Sequence, residues 1–592
     1  MELKLVYRSL RQISDWALRF YSDVYVEGEE NVPEHGPLII TSCHHNEILD
    51  VATLSISIPH GRPVCIWGKS TLFKNPIVRQ VLLSSGAIPV ARNPNATPPS
   101  ESATPSDRGN PPHSHANDAL FRDTFKALER GEAIGVFPEG TSYTEPGIAQ
   151  VKDGASRAAL GYVKWVREGK GKGKKLLIVP VGIVYTDKSQ YQSAVRVGWG
   201  KPLDVAAFVE DVREKSGDEN EEEDSREVTK ALSAEIEKRM LALTINAPDW
   251  DTLFAAEMAR DILWASEPLQ PQEFVPVSQN LITLFSDKNA APSQVKARQA
   301  LLKYHALLEY TNMSHASLID LLPDISMRPV ASSAMLLVVH QVLRTVLHPR
   351  FVLFLPVLPL HIPAYVTGLV ASRVLSTPGE EETRAQFKAV FGGLAATAVY
   401  ASLTRVIVSR VVANLSRAHI DVPEAFSPLF DILVKGGRWF FVDQGQFPKV
   451  RSTAGFFGSF YITAYVVSHW HNYFVKSNYA QFKRLVASVK LCLGALSPAS
   501  GSLKGAALAP YTTNEIPPPN PYIRRREGQT APVHIPPAPP VPSRVLIRPL
   551  LDARMDATRA MWSFLADSKY LNGLVTAKMK GEAWMQVGPV KR

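Results

Sequence analysis

The first residues of the chain mix apolar and basic positions at helical spacing. Leu3, Val6, Leu10, Ile13, Ala17 and Phe20 recur every three or four residues, with Lys4, Arg8, Arg11 and Arg19 between them. The pattern predicts an amphipathic helix over 1–30. With Trp16 near its apolar face, such a helix either lies in a membrane interface or packs on the domain that follows. Beyond it the period changes. Short apolar runs at 37–42 (PLIITS), 87–91 (AIPVA), 133–137 (AIGVF) and 176–185 (LLIVPVGIVY) have the length of buried strands. A helical pattern at 118–131 (DALFRDTFKALERG) lies between two of them. The alternation predicts one α/β domain over 31–260, a mixed sheet covered by helices.

The Ser/Pro/Asn-rich stretch 93–118 interrupts that domain and reads as a disordered surface insertion, because it offers almost no apolar surface to bury. The acidic run 218–224 reads as a solvated loop. A helical connector is expected over 261–330, and membrane-associated helices over 331–475. Phe351 to Ser372 is a run of 22 residues without Asp, Glu, Lys or Arg, enough to cross a hydrocarbon core of about 30 Å. Its prolines, Pro356, Pro359 and Pro363, leave a kinked or re-entrant course open. Ala389–Thr404 and Ala454–Val467 are shorter apolar runs, and buried helices of a soluble protein are the alternative for all three. A C-terminal tail over 476–592 completes the chain. Its Pro-rich stretch 510–549 reads as a flexible linker ahead of a final helix.

Composition changes the picture in two ways. The formal net charge of +9 suits anionic partners such as phosphorylated substrates and lipid head groups. A nucleic-acid partner is not expected, since the basic residues lack aromatic interleaving and form no recognisable binding module. The three cysteines, Cys43, Cys65 and Cys492, make neither a disulfide framework nor a metal-ligand spacing. They fit a cytosol-facing protein, and residues 1–28 hold no apolar run of signal-peptide length.

Four short motifs carry the candidate chemistry. His45 and Asp50, in HNEILD, fall at a strand-to-helix junction. On regular helix a spacing of five separates two side chains by roughly 140°, so they could pair only if the junction is irregular. Alone, His-x4-Asp fits a structural histidine as well as a general base held by a carboxylate. Gly86-Ala87-Ile88-Pro89-Val90-Ala91-Arg92 places an arginine at a strand end, where a guanidinium suits bidentate phosphate binding. Phe137-Pro138-Glu139-Gly140-Thr141-Ser142 sets a glycine and hydroxyls beside a carboxylate, a grouping that can grip a polyol phosphate. Val179-Pro180-Val181-Gly182 lies in an apolar strand and fits plain core equally well.

In this order and spacing the four motifs resemble those of the glycerolipid acyltransferase superfamily. HHNEILD, WGKSTLFKNP, GAIPVAR, FPEGTSYTEP and QVKDGASRAALGYVKW look like the fungal endoplasmic-reticulum glycerol-3-phosphate/dihydroxyacetone-phosphate O-acyltransferases. The likeness covers about residues 1–480, including EETRAQFK between the apolar runs, and leaves out the 93–118 insertion and the Pro-rich tail. It implies a glycerol-phosphate acyltransferase-like fold. It also implies direct transfer of an acyl group from acyl-CoA, a co-substrate, to glycerol 3-phosphate or dihydroxyacetone phosphate, with no cofactor and no metal. Lysophosphatidate acylation, or a non-catalytic lipid-binding role, is the alternative. The resemblance makes His45 the base and Asp50 its orienting partner. Gly86, Arg92, Glu139, Gly140 and Thr141 would bind substrate, with Lys69 and Lys152 as further phosphate contacts. It implies an endoplasmic-reticulum membrane protein whose catalytic domain faces the cytosol. Cys43, two residues before His45, raises a thiol-nucleophile alternative, against which strand geometry argues. Two side chains two residues apart on a strand lie ~6–7 Å apart.

Overall fold

The structure is a computed structural model. It describes residues 5–90, 113–171, 175–187, 191–216, 225–265, 269–287, 290–376, 381–415, 435–442, 448–520, 523 and 532–567. Within these the chain forms two compact units. One comprises 1–339, 377–383 and 486–592, the other 340–376 and 384–485.

The first unit begins with α1 (Leu5–Tyr21) and β1 (Ser22–Glu27). Then come β2 (Leu38–Ser42), α2 (Ile48–Ser57), β3 (Val64–Lys69), α3 (Pro76–Ser84), β4 (Ile88–Val90), α4 (His113–Glu129), β5 (Ala133–Val136) and α5 (Gly154–Arg167). The long strand β6 (Leu177–Tyr185) is followed by β7 (Ser193–Trp199), β8 (Leu203–Asp204), α6 (Val205–Ser216) and α7 (Arg226–Leu241). The strands make one mixed sheet in the order β1-β7-β6-β2-β5-β3-β4, with β8 beside β6. β6, β2, β5, β3 and β4 run parallel, whereas β6 and β7 are antiparallel. β2 is buried along its whole length, as PLIITS, an apolar run without alternation, demands of a strand covered on both faces. Leu38, Ile39, Ile40, Ile134, Val179 and Val181 form the middle of the core.

Two expectations change here. The helix expected over 1–30 ends at Tyr21, and β1 follows it; α4 starts at His113, inside the stretch 93–118 expected to be disordered. Residues 93–112, and the acidic run at 218–224, lie outside the described residues.

A second core in the same unit is built from helices: α8 (Trp250–Leu263), α9 (Pro271–Phe285), α10 (Pro292–Thr311), α11 (His315–Leu321) and a late helix, Ile547–Asp567. The Pro-rich stretch 510–549, expected as a flexible linker, is in its described part laid against these helices. Tyr511 is buried and donates to Pro539 O, Ile516 bridges Ile535, and Ala538 N donates to Tyr310 Oη. Prolines remove backbone donors, yet the aromatic and aliphatic residues between them still bury apolar area, which is enough to hold the strand of chain in place.

The second unit contains the C-terminal part of α12 (Ala331–Val346), α13 (Pro349–Phe354), α14 (Leu358–Leu375), nearly all of α15 (Glu381–Leu415) and most of α16 (Pro448–Leu496); the late helix is α17. The predicted run Phe351–Ser372 is broken by a turn at 355–357, which contains Pro356. Among the described residues Leu358–Leu375 and Glu382–Ala413 are long and apolar enough to cross a membrane. The third apolar run lies within α16, whose polar flanks keep it short of that measure.

Candidate active site

β2, β5, β3 and β4 end on the same edge of the sheet because they are parallel, and their C-terminal ends carry three of the four motifs. From β2 the chain runs through Cys43, His44, His45 and Asn46 before α2 begins at Ile48. Glu47, at the cap, has φ 44° and ψ −118°, a left-handed conformation that a non-glycine residue adopts only under constraint. The junction is therefore irregular, and α2 turns the Asp50 carboxylate back toward the loop.

That carboxylate is fully buried and three donors converge on it. Asn46 N donates to Oδ2 at 2.6 Å, His44 Nδ1 lies 2.9 Å from the same oxygen, and Tyr185 Oη donates to Oδ1 at 2.6 Å. The histidine clasped by Asp50 is thus His44, six residues away, rather than the His45 of the motif. His44 stacks on Phe137 (ring centroids 4.2 Å apart), and its backbone N donates to Glu139 Oε1 at 2.6 Å. His45 meets Tyr143 edge to face. Burial, reinforced by the negative charge of Asp50, pushes the Tyr185 phenol well up, so it remains a donor.

Glu139 is as deeply buried as Asp50. One of its oxygens holds the His44 backbone, and its carbonyl accepts from Gln150 Nε2 at 2.9 Å. The FPEGTS turn is thereby tied to the HHNEILD loop across 95 residues of sequence. Gly140 has φ +79°, a conformation that favours glycine, and the Lys152 side chain folds over it, Nζ lying 2.8 Å from where a Cβ would stand. Thr141 Oγ1 donates to Ser142 O, and Ser142 Oγ donates to Glu47 Oε1 at 3.4 Å. Lys69 is the exposed last residue of β3, in register with Val90 of β4. Arg92 lies outside the described residues.

Gly86, expected to bind substrate, closes the turn into β4, its N donating to Leu83 O, and packs beside Cys65 near the N-terminal ends of the strands, the edge away from Asp50. The fourth motif is core: β6 is buried from Ile178 to Val184, and a Cβ at Gly182 would meet Leu243 O at 2.4 Å. Cys43 is wholly buried and tied to β6, accepting from Ile183 N at 3.0 Å and donating to Ile183 O at 3.3 Å. Burial, then Glu139 and Asp50, push its thiol well up, which removes the thiolate a nucleophile needs. Tyr185 and Gln150 were not foreseen. The only signal for Tyr185 was a phenol ending an otherwise apolar run.

This arrangement, a parallel-edge cluster of two histidines and two buried carboxylates, lies in a stretch, residues 23–184, that matches the family model Acyltransferase. Similar proteins include Glycerol-3-phosphate O-acyltransferase 2 of Saccharomyces cerevisiae, 24% identical over 35% of this chain and 26% of its own length. Glycerol-3-phosphate O-acyltransferase 1 of the same yeast is 22% identical over 33% of this chain and 24% of its own. The match spans about a quarter of the length of these curated relatives. A solved structure, the 1-acyl-sn-glycerophosphate (LPA) acyltransferase PlsC from Thermotoga maritima, aligns over 39% of this chain and 78% of that chain, with 18% identity and a TM-score of 0.25, a likeness too slight to carry an argument.

Proposed function

We propose that this protein transfers a fatty acyl group from acyl-CoA to the sn-1 hydroxyl of glycerol 3-phosphate, with dihydroxyacetone phosphate as a second acceptor. The product from glycerol 3-phosphate is lysophosphatidate, the first intermediate of glycerophospholipid and triacylglycerol synthesis. The observation that carries the reading is the Asp50 carboxylate, fully buried and gripped by His44, Asn46 and Tyr185 beside Glu139 of the FPEGTS turn. Its acceptor side draws on the names of the yeast relatives.

In this mechanism His45 takes the proton of the acceptor hydroxyl as its oxygen attacks the thioester carbonyl carbon. The C–S bond then breaks, and the imidazolium returns the proton to the departing thiolate of CoA. Asp50 stabilises the positive charge that develops on the histidine pair, and it can do so because His44, Asn46 and Tyr185 leave it no freedom to turn away. No covalent acyl-enzyme forms, in keeping with the buried Cys43 thiol. In this reading Lys152, which folds over Gly140, meets the acceptor phosphate together with Lys69 and Arg92, and Thr141 binds the glycerol. α14 and α15 are the membrane spans of this reading, set in the endoplasmic reticulum with the catalytic domain on the cytosolic side.

The test is an assay of microsomes containing the full-length chain, with acyl-CoA and three acceptors in parallel: glycerol 3-phosphate, dihydroxyacetone phosphate and lysophosphatidate. Acylation of glycerol 3-phosphate is expected. Acylation of lysophosphatidate alone would sink the assignment.

A further inference from the structure

Among the described residues, α3 is a helix with no buried face. Its start is well formed: Pro76 occupies the first turn, and the Asn75 side chain caps it, accepting from Ile77 N at 3.0 Å and Val78 N at 3.2 Å. Yet none of its nine residues is buried, although five of them are Ile, Val or Leu. Ile77 is 75% exposed, and Val78 and Val81 are exposed beside it. A helix this short is marginal in water by itself and draws its stability from an apolar face packed on something.

α1, which touches α3, shows the same excess. Tyr7, Leu18 and Tyr21 are buried, and Arg8, Arg11 and Arg19 occupy the flank beyond them. Leu5, Ile13 and Trp16, within about 80° of one another at roughly 100° per residue, form a third sector. That sector is apolar and exposed, Leu5 at 59% and Ile13 at 57%. The domain therefore covers only part of α1's apolar face.

We propose that the uncovered faces of α1 and α3 form one surface by which the catalytic domain dips into a phospholipid bilayer. Charge selects this occupant. The stretch from Lys69 to Ser84 carries Lys69, Lys74 and Arg79, all exposed, and no acidic residue. On α1 the one acidic residue, Asp15, is paired with Arg19 at 2.8 Å. Apolar side chains rimmed by cations, with a tryptophan among them, suit the boundary between acyl chains and anionic head groups. The chain that leaves β4 cannot supply the cover, because residues 91–112 contain no aromatic, methionine or branched aliphatic residue. α3 joins β3, which ends in Lys69, to β4, which leads to Arg92, so this surface adjoins the part of the candidate site assigned to phosphate. The proposal draws on the membrane reading above but not on the reaction.

Depth-sensitive fluorescence of the full-length protein in proteoliposomes tests it. Cys43 and Cys65 are buried, so in a Cys492→Ser background Ile77→Cys takes an environment-sensitive label alone. Lys230→Cys, exposed on α7, serves as the control, and Val81→Cys as a second reporter should Ile77→Cys fold poorly. Brominated phosphatidylcholine is expected to quench the label at 77 strongly and that at 230 weakly, and aqueous iodide to do the reverse. Adding phosphatidylserine should deepen the label at 77, and Lys74→Gln with Arg79→Gln should abolish that deepening. Equal iodide quenching at 77 and 230 would overturn the proposal. So would a label at 77 shielded from both quenchers, which would mean that protein, from this chain or a second copy, covers the face. An inactive enzyme still quenched by bromolipid would remove the proposed reaction and leave this surface standing.

Discussion

The sheet domain and the helical core of the first unit each hold a histidine through Nδ1, half-buried His44 in one and buried His315 in the other, and the two have opposite surroundings. His44 lies 2.9 Å from the Asp50 carboxylate, with Glu139 on its own backbone. His315, on α11, lies 2.8 Å from the phenol of Tyr304 on α10, and the nearby charge is a cation, Arg554, itself buried. Burial first, and Arg554 second, bring His315 down to about 3, so it stays neutral. Depth of burial therefore does not mark a functional histidine. The partner does, because a carboxylate stabilises the positive charge that proton transfer creates, whereas a phenol beside an arginine opposes it. His315 is a packing residue whose Nδ1 meets Tyr304, whereas His44 has a carboxylate that would stabilise a positive imidazolium.

Removing the carboxylate should break this contrast most severely. Asp50→Asn and His45→Ala are each expected to lower kcat by ~10²–10⁴-fold, the range for loss of a general base or its support, with the acceptor KM little changed. Near-normal turnover of His45→Ala would hand the base role to His44. Removing one of the donors that grip Asp50 should cost less. Tyr185→Phe and His44→Asn each delete one hydrogen bond to a charged group, worth about 1.5–3 kcal/mol, or roughly 10–100-fold in kcat. A change confined to the KM for acyl-CoA would place Tyr185 in donor binding instead. Cys43→Ala is expected to keep most activity, and protein incubated with acyl-CoA alone should carry no hydroxylamine-labile acyl group; a folded but inactive Cys43→Ala would reverse that.

The smallest effect on turnover belongs to His315→Gln, which should leave activity unchanged at neutral pH and alter acid stability. Its folded-state value of about 3 lies below the ordinary 6.5. Between those values the unfolded chain binds a proton that the folded chain does not, so this group lowers stability as pH falls. The slope is about 1.4 kcal/mol per pH unit. Denaturant titrations at pH 4 and 7 should show a smaller acid loss for His315→Gln than for the wild type; an equal loss would mean that other groups dominate.

The apolar runs marked four of the sheet's eight strands, β2, β4, β5 and β6, because a strand buried on both faces is apolar throughout, as LIVPVGIVY is; β1, β3, β7 and β8 were not legible, and β1 lies in the stretch 1–30 expected to be helix. The HNEILD and FPEGTS motifs, whose residue types are chemically legible at short range, are brought together at one edge of the sheet. What sequence could not settle was which side chains meet. His44 rather than His45 reaches Asp50 because Glu47 takes a left-handed backbone that no spacing rule anticipates. Tyr185 reaches Asp50 because β6 lies next to β2, a contact across 135 residues. Gly86, four residues from Val90 in a single motif, ends at the opposite edge of the sheet, because a strand carries its two ends to opposite sides. The proline-rich stretch was misread for a related reason. Composition records that prolines cannot join a ladder or a helix interior, but only the folded chain decides whether a neighbouring apolar surface will hold the residues between them. Local sequence sets backbone preference and chemical type, and tertiary packing alone sets proximity, which is what an active site is made of.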